Sequence, residues 1–341
     1  MTERDALIRA FIDKSDWAGA RIAPLAGDAS NRRYLRLRDP ASGETAVLMD
    51  APPERGENVR PFVEIGRYLG RIGLSAPRVL AADMEAGLLL LEDLGDDLFA
   101  NVIPRDPSLE NSLYCAATDL LGTLHDHPPP PGLAPYSPAL MADLAMLAFD
   151  WYHAALADPA PDTRASAEAA MRAALQAHAR DADVLIQRDY HAQNLLWLPD
   201  RAGDARVGLL DFQDAMMGHR AYDLVSLLQD ARRDVPRPVE DTMLTRYIDR
   251  TGMDSAAFRT AYRVLGAQRN LRIIGVFARL CIRDGKPHYV DLMPRVWDHL
   301  QRDLADPVLD PLARILEHSL PRPTPANLAK VKAQCPTAPA R

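Results

Sequence analysis

Apolar residues recur at helical spacing in the opening segment, at Leu7, Ile8, Phe11 and Ile12 among charged neighbours, which predicts an amphipathic helix. The pattern then changes to extended runs over 23–37 and 44–50, placed around the turn Asp39-Pro-Ala-Ser-Gly43. A helix is predicted over 61–72, stopped by Gly73. Residues 88–91 are four consecutive leucines, the signature of a buried strand, ended by Glu92-Asp93-Leu94-Gly95. From residue 111 the periodicity is helical, over 111–125, 139–157 and 163–179. Two short apolar runs, 195–198 and 207–210, flank a turn rich in Pro, Gly and Asp and predict a hairpin inside this helical stretch. Helices resume over 222–232, 238–252, 255–283 and 289–304. The expected fold class is therefore α+β. A small sheet-containing lobe spans residues 1–94 and a larger, mostly helical lobe spans 95–320. The segment 321–341, rich in Pro, Ala and Lys, is expected to be a disordered tail.

Composition narrows the function classes. The chain has 341 residues and 48% hydrophobic content, enough for one large or two modest packed domains. Forty Lys and Arg against 47 Asp and Glu give a net charge of -7, which argues against a general nucleic-acid binder while leaving room for a local basic pocket. Three widely spaced cysteines, Cys115, Cys281 and Cys335, suit free thiols in a reducing cytoplasm better than a disulfide framework. The charged opening segment has no apolar core of the secretory type, and no charge-free stretch approaches the length of a membrane span. A small-molecule partner is expected, with neither nucleic acid nor membrane; the oligomeric state is left open.

The chemistry concentrates in one segment. Gln187-Arg188-Asp189-Tyr190-His191-Ala192-Gln193-Asn194 precedes the hairpin, and Leu209-Leu-Asp-Phe-Gln-Asp214 follows it. An Asp, an Asn five residues on and a second Asp after a short hairpin supply what phosphoryl transfer requires: one carboxylate for the acceptor hydroxyl, and hard oxygens to hold Mg²⁺ against nucleotide phosphates. Downstream, Arg269, Arg272, Arg279 and Arg283 fall on one face of the predicted helix 255–283. Between Asp254 and Asp303 there are nine Lys or Arg against five acids, which suits a neutral or anionic acceptor better than a polycation.

This order resembles the protein-kinase-like fold of the aminoglycoside phosphotransferase and choline kinase superfamily. Gly27-Asp28-Ala29-Ser30, Met49-Asp50-Ala51-Pro52-Pro53, Asp211-Phe212-Gln213-Asp214-Ala215 and Phe277-Ala278-Arg279-Leu280 are similar to the bacterial anomeric kinases of N-acetylmuramate and N-acetylglucosamine in cell-wall recycling. The likeness runs over residues 5 to 305. It implies ATP and Mg²⁺ as cofactors, Asp189 as catalytic base, Asn194 and Asp211 as Mg²⁺ ligands, and Gln187 and Asp223 as supports of the catalytic loop. It implies nucleotide contacts at Ser30, Arg32 and Arg33 and at the hinge residues Glu92 and Leu94, and acceptor contacts at His191, Gln213, Asp214, Arg269 and Asn270. Two positions depart from the pattern. Met49 stands where a strand Lys would grip phosphate, so Arg32, Arg33 or another cation must do so, and Gln187 stands where a His is usual. Two other readings are kept open. One is a kinase for an amino alcohol such as choline or homoserine, or for an aminoglycoside, with Trp151, Tyr152, Tyr222 and Trp297 available for a cation cage. The other is a nucleotide-binding pseudokinase, motivated by Met49.

Overall fold

The computed structural model describes residues 2–25, 31–157 and 162–336. In chain order the elements are α1 (Glu3–Asp13), β1 (Arg21–Pro24), β2 (Arg33–Arg38), β3 (Thr45–Asp50), α2 (Arg60–Arg71), β4 (Val79–Asp83), β5 (Leu88–Glu92), α3 (Phe99–Arg105), α4 (Glu110–His125), α5 (Pro138–Ala145) and α6 (Thr163–His178). There follow β6 (Val184–Ile186), β7 (Leu195–Trp197), β8 (Val207–Leu209), β9 (Met216–Gly218), α7 (Tyr222–Leu228), α8 (Arg237–Thr251), α9 (Ser255–Ile282), α10 (Met293–Leu304), α11 (Asp310–Ser319) and α12 (Pro325–Lys332). The fold is α+β, as expected, but its two compact units are drawn differently from a cut at residue 94. The first comprises Met1–Ala116 with Gln193–Ala215, and the second comprises Ala117–Ala192 with Met216–Arg341. The hairpin β7–β8 belongs to the first unit because its backbone is claimed there: Trp197 N–H donates to Asp97 O at 2.8 Å and Leu209 N–H to Ser75 O at 2.8 Å.

The first unit is built on an antiparallel sheet in the order β1-β2-β3-β5-β4. Leu37, Ala46, Leu48, Leu88 and Leu90 are buried with Ile8 and Ile12 of α1, so the amphipathic face read at the start of the chain covers one side of the sheet. Cross-strand partners share a face. Tyr34, Met49 and Leu89, which pair across β2, β3 and β5, therefore present the other. Capping fixes where α1 begins: the Thr2 hydroxyl accepts from Asp5 N–H, and the Asp5 carboxylate accepts from Thr2 N–H.

In the second unit α9 is the spine, with 28 residues and buried side chains on most of its circumference. The predicted helix 139–157 is instead α5 followed by a wider turn at Ala148–His153, where Ala154 N–H reaches back five residues to Phe149 O at 3.1 Å. Gly275 explains the close approach there, since a Cβ on it would lie 2.1 Å from the Leu147 carbonyl carbon. The expected tail is also partly a helix. α12 buries Val331, whose carbonyl accepts from the Cys281 thiol at 3.8 Å. Burial, and then contact with the Cys335 thiol, push the Cys281 thiol up to about 12. Apolar insertion of Val331 and the Thr324 cap outweigh the polar composition that suggested disorder. Among the described residues no helix is long and apolar enough to cross a membrane.

Candidate active site

In the first unit the second residue after β8 is held in a strained conformation. Asp211 has φ 57°, in the left-handed region that non-glycine residues avoid. Its neighbours account for the constraint. Phe212, wholly buried, stacks on Phe62 of α2 with ring centroids 4.8 Å apart, and Gly66 one turn on leaves room for the same ring. Gln213 Nε2 donates to Asp211 Oδ1 at 2.7 Å, and Asn194 Nδ2 donates to Asp211 Oδ2 at 3.5 Å. Leu210 N–H donates to Asn194 O at 2.9 Å, which closes the open end of the hairpin. Asp211 and Asn194 thus form a two-residue set of hard oxygens, of the size Mg²⁺ takes when phosphates and waters complete its shell. A half-turn of the Asn194 amide presents its oxygen to such an ion.

The cation question divides Arg32 from Arg33. Arg32 donates to Glu57 at 2.8 Å and is mostly enclosed. Burial disfavours its charge, but Glu57, Tyr34 and, least, Asp211 hold it protonated. Burial, with Asp211 adding to it, also raises the Tyr34 hydroxyl above its ordinary range. Arg33 is committed elsewhere, to Asp50 at 3.1 Å and Asp5 at 3.2 Å. Its side chain is 47% exposed beside those two carboxylates. Met49 is buried in the sheet, and Glu64 on α2 is exposed. Ser30 lies outside the described residues. At the hinge, the Glu92 side chain is bridged to Arg201 at 2.8 Å and Arg78 at 3.1 Å. Leu94 packs over Gly208. Arg36 holds the same stretch through Asp93 and Asp96, each at 2.7 Å.

In the second unit the loop after β6 carries Asp189. Arg188, just before it, has φ 72° and places its guanidinium over the Tyr136 ring, 5.2 Å from the centroid. The loop backbone is clamped by α7. Asp223, wholly buried, accepts Gln187 N–H at 2.7 Å and Arg188 N–H at 2.9 Å. Burial pushes the Asp223 carboxyl up to about 7, against the pull of those two donors. Ser226, one turn along α7, donates its hydroxyl to Arg188 O at 3.2 Å. Asp189 itself is half-buried. Burial would raise its carboxyl, but Arg272, His191, Arg269 and Arg188 together hold it below the ordinary carboxylate range. It is ionised at neutral pH and surrounded by positive charge.

The acceptor assignments fare unevenly. His191 and Arg269 fall in this charged environment, with 4% and 3% exposure. Asn270 is engaged within the chain. It is wholly buried and donates to Gln229 at 2.7 Å and Asp303 at 3.2 Å, because α9 turns that side toward α10. Gln213 is spent on Asp211, and Asp214 is exposed. Sequence reading missed Glu57, Phe62, Ser226, Asp230 and Arg232. Only Phe62 carried a signal, as an apolar residue on the inner face of an amphipathic helix.

Residues 21–259 match the phosphotransferase enzyme family (APH). The chain is 41% identical, over 94% of its length and 98% of the relative's, to an N-acetylmuramate/N-acetylglucosamine kinase of Caulobacter vibrioides. It is 33% identical to a protein of the same name from Pseudomonas aeruginosa, over 89% of each chain. An ADP-bound aminoglycoside phosphotransferase shares the fold with a TM-score of 0.61 at 14% identity, covering 88% of this chain and 97% of that one. The chain belongs to the phosphotransferase enzyme family.

Proposed function

We propose that this chain is a cytoplasmic kinase of cell-wall recycling that transfers the terminal phosphoryl group of ATP to the anomeric hydroxyl of N-acetylglucosamine or N-acetylmuramate. The observation that carries the acceptor class is the field at Asp189, where Arg272, Arg269 and Arg188 face one carboxylate. A polycationic aminoglycoside or a quaternary amino alcohol would meet like charge there. Of the four aromatic residues considered for a cation cage, Tyr152 and Tyr222 have no exposure and Trp297 has 8%, while Trp151 is half-buried. An anomeric hydroxyl is more acidic than an ordinary sugar hydroxyl, so a carboxylate of low pKa suffices to orient it and take its proton. In this reading Asp189 is the base, Asn194 and Asp211 hold Mg²⁺, and Asp223 with Ser226 fixes the loop. Bound Mg²⁺ would neutralise charge on the phosphates.

Arg32 replaces the missing strand Lys, with Glu57 as its acidic partner. Arg32→Ala should raise the nucleotide KM by roughly tenfold or more, the scale of one charge-assisted hydrogen bond. Arg33→Ala should not, and Met49→Lys should bring no gain, because it buries a second cation beside Arg32. Steady-state kinetics at saturating sugar measure all three. A tighter nucleotide KM in Met49→Lys with no effect at Arg32 would refute the replacement.

Turnover with a panel of N-acetyl sugars, amino alcohols and aminoglycosides tests the function. The expected result is turnover of the two N-acetyl sugars, with phosphate located at carbon 1 by phosphorus NMR. Brisk turnover of an amino alcohol beside none of either sugar would overturn the substrate while leaving the phosphotransferase family untouched.

A further inference from the structure

Close to Asp189 in the second unit, several buried polar atoms lack partners among the described residues. They are Asp230 Oδ2, His191 Nδ1, and Arg269 Nε and Nη1. The residues are 1%, 4% and 3% exposed. A buried polar atom left unpaired costs about 1–3 kcal/mol, so a cluster of them points to something absent from the bare chain.

The remaining atoms of the same side chains are fixed. Asp230 Oδ1 accepts Arg232 N–H at 2.8 Å. Arg232 Nη1 meets His191 Nε2 at 3.2 Å. Arg269 Nη2 donates to Ser226 Oγ at 2.8 Å, and Ser226 in turn holds Arg188 O. One hydrogen-bonded chain thus links Asp230 to the segment two residues beyond Asp189, and another links Arg269 to the residue before it. Burial above all pushes His191 down to about 4, so the ring is neutral at pH 7. With Nε2 accepting from Arg232, the ring proton sits on Nδ1. The unfilled set is therefore one carboxylate acceptor beside three N–H donors.

We propose that Asp230, His191 and Arg269 form a subsite for the 2-acetamido group of the acceptor sugar, with Asp230 Oδ2 accepting the amide N–H and Arg269 and His191 donating to its carbonyl oxygen. The proposal rests on the amino-sugar reading above. Two features select this group. The substituent at carbon 2 is the one adjacent to the reacting hydroxyl, and these residues flank the proposed base. An acetamide carries one donor and one strong acceptor, the complement of an unpartnered carboxylate oxygen and unpartnered guanidinium N–H groups close enough to interact electrostatically. A ring hydroxyl must serve both from a single oxygen. Sites that hydrogen-bond a polar group reject analogues lacking it more strongly than apolar pockets do. N-acetylmuramate and N-acetylglucosamine share this group and differ at carbon 3, so one subsite would admit both.

The test compares kcat/KM for N-acetylglucosamine with that for glucose, which carries a hydroxyl at carbon 2. The unaltered protein should favour the N-acetyl sugar by at least roughly tenfold. Asp230→Asn preserves size and the bond to Arg232 N–H but turns the facing oxygen into a donor. It should cut the preference roughly ten- to hundredfold, mainly through the KM of the N-acetyl sugar. Asp230→Ala, with its fold checked by thermal melting, should do the same. Equal losses for both sugars in both variants would mean that the atoms are met by ordered water only, and would overturn the subsite. So would an unaltered protein that uses glucose as readily as N-acetylglucosamine. Absence of turnover of either N-acetyl sugar by the unaltered protein would instead overturn the amino-sugar reading, and the subsite with it.

Discussion

Asp189→Asn should depress turnover by about 10²-fold or more while leaving nucleotide affinity close to that of the unaltered chain. The amide keeps the shape of the side chain and cannot take a proton. It also removes a negative charge that Arg272, Arg269 and Arg188 face, so the acceptor KM should shift as well. The measurement is kcat together with nucleotide Kd by calorimetry. Lost nucleotide binding with unchanged turnover per bound complex would make Asp189 a metal or structural residue. Since its carboxyl is held below the ordinary range, the acidic limb of the pH–rate profile should not rise to neutral pH through this residue.

Asp211→Ala should abolish stabilisation by Mg·ATP. In the unaltered chain, ligand at a hundred times its Kd contributes ~2.7 kcal/mol of stability, read as a rise in melting temperature. The variant should show almost none of that rise. The backbone needs its own control, because Ala at φ 57° adds strain of about 1–2 kcal/mol, whereas Asn tolerates that region. Asp211→Asn therefore separates loss of the carboxylate from strain. If both variants gain as much stability from Mg·ATP as the unaltered chain does, Asp211 is not a metal ligand.

The turn that brings Asn194 beside Asp211 was legible because its logic is local: two short apolar runs around one hairpin. The hairpin, the leucine strand and the amphipathic α1 were legible for the same reason, since period and turn residues act over a few positions. What escaped were pairings made across sequence distance. Arg32 finds Glu57, 25 residues on, in a stretch without periodicity. Asn270, assigned to the acceptor by resemblance alone, lies on a helix enclosed on most sides, where Gln229 and Asp303 accept from it. The segment 139–157 kept helical periodicity while its hydrogen bonds widened, a change the pattern of apolar residues does not record. Val331 shows the opposite limit, as one apolar side chain anchors a stretch whose composition reads as polar.

The contact between Cys281 and α12 turns the thiols into reporters. Alkylating reagents attack thiolates, and a buried thiol held near 12 supplies almost none at neutral pH. Cys115 and Cys335 are only partly enclosed, while Cys281 is shielded by the segment it hydrogen-bonds. The labelling rate of Cys281 is therefore a clock for the detachment of α12, and its protection factor gives the free energy of that local opening without any substitution in the chain.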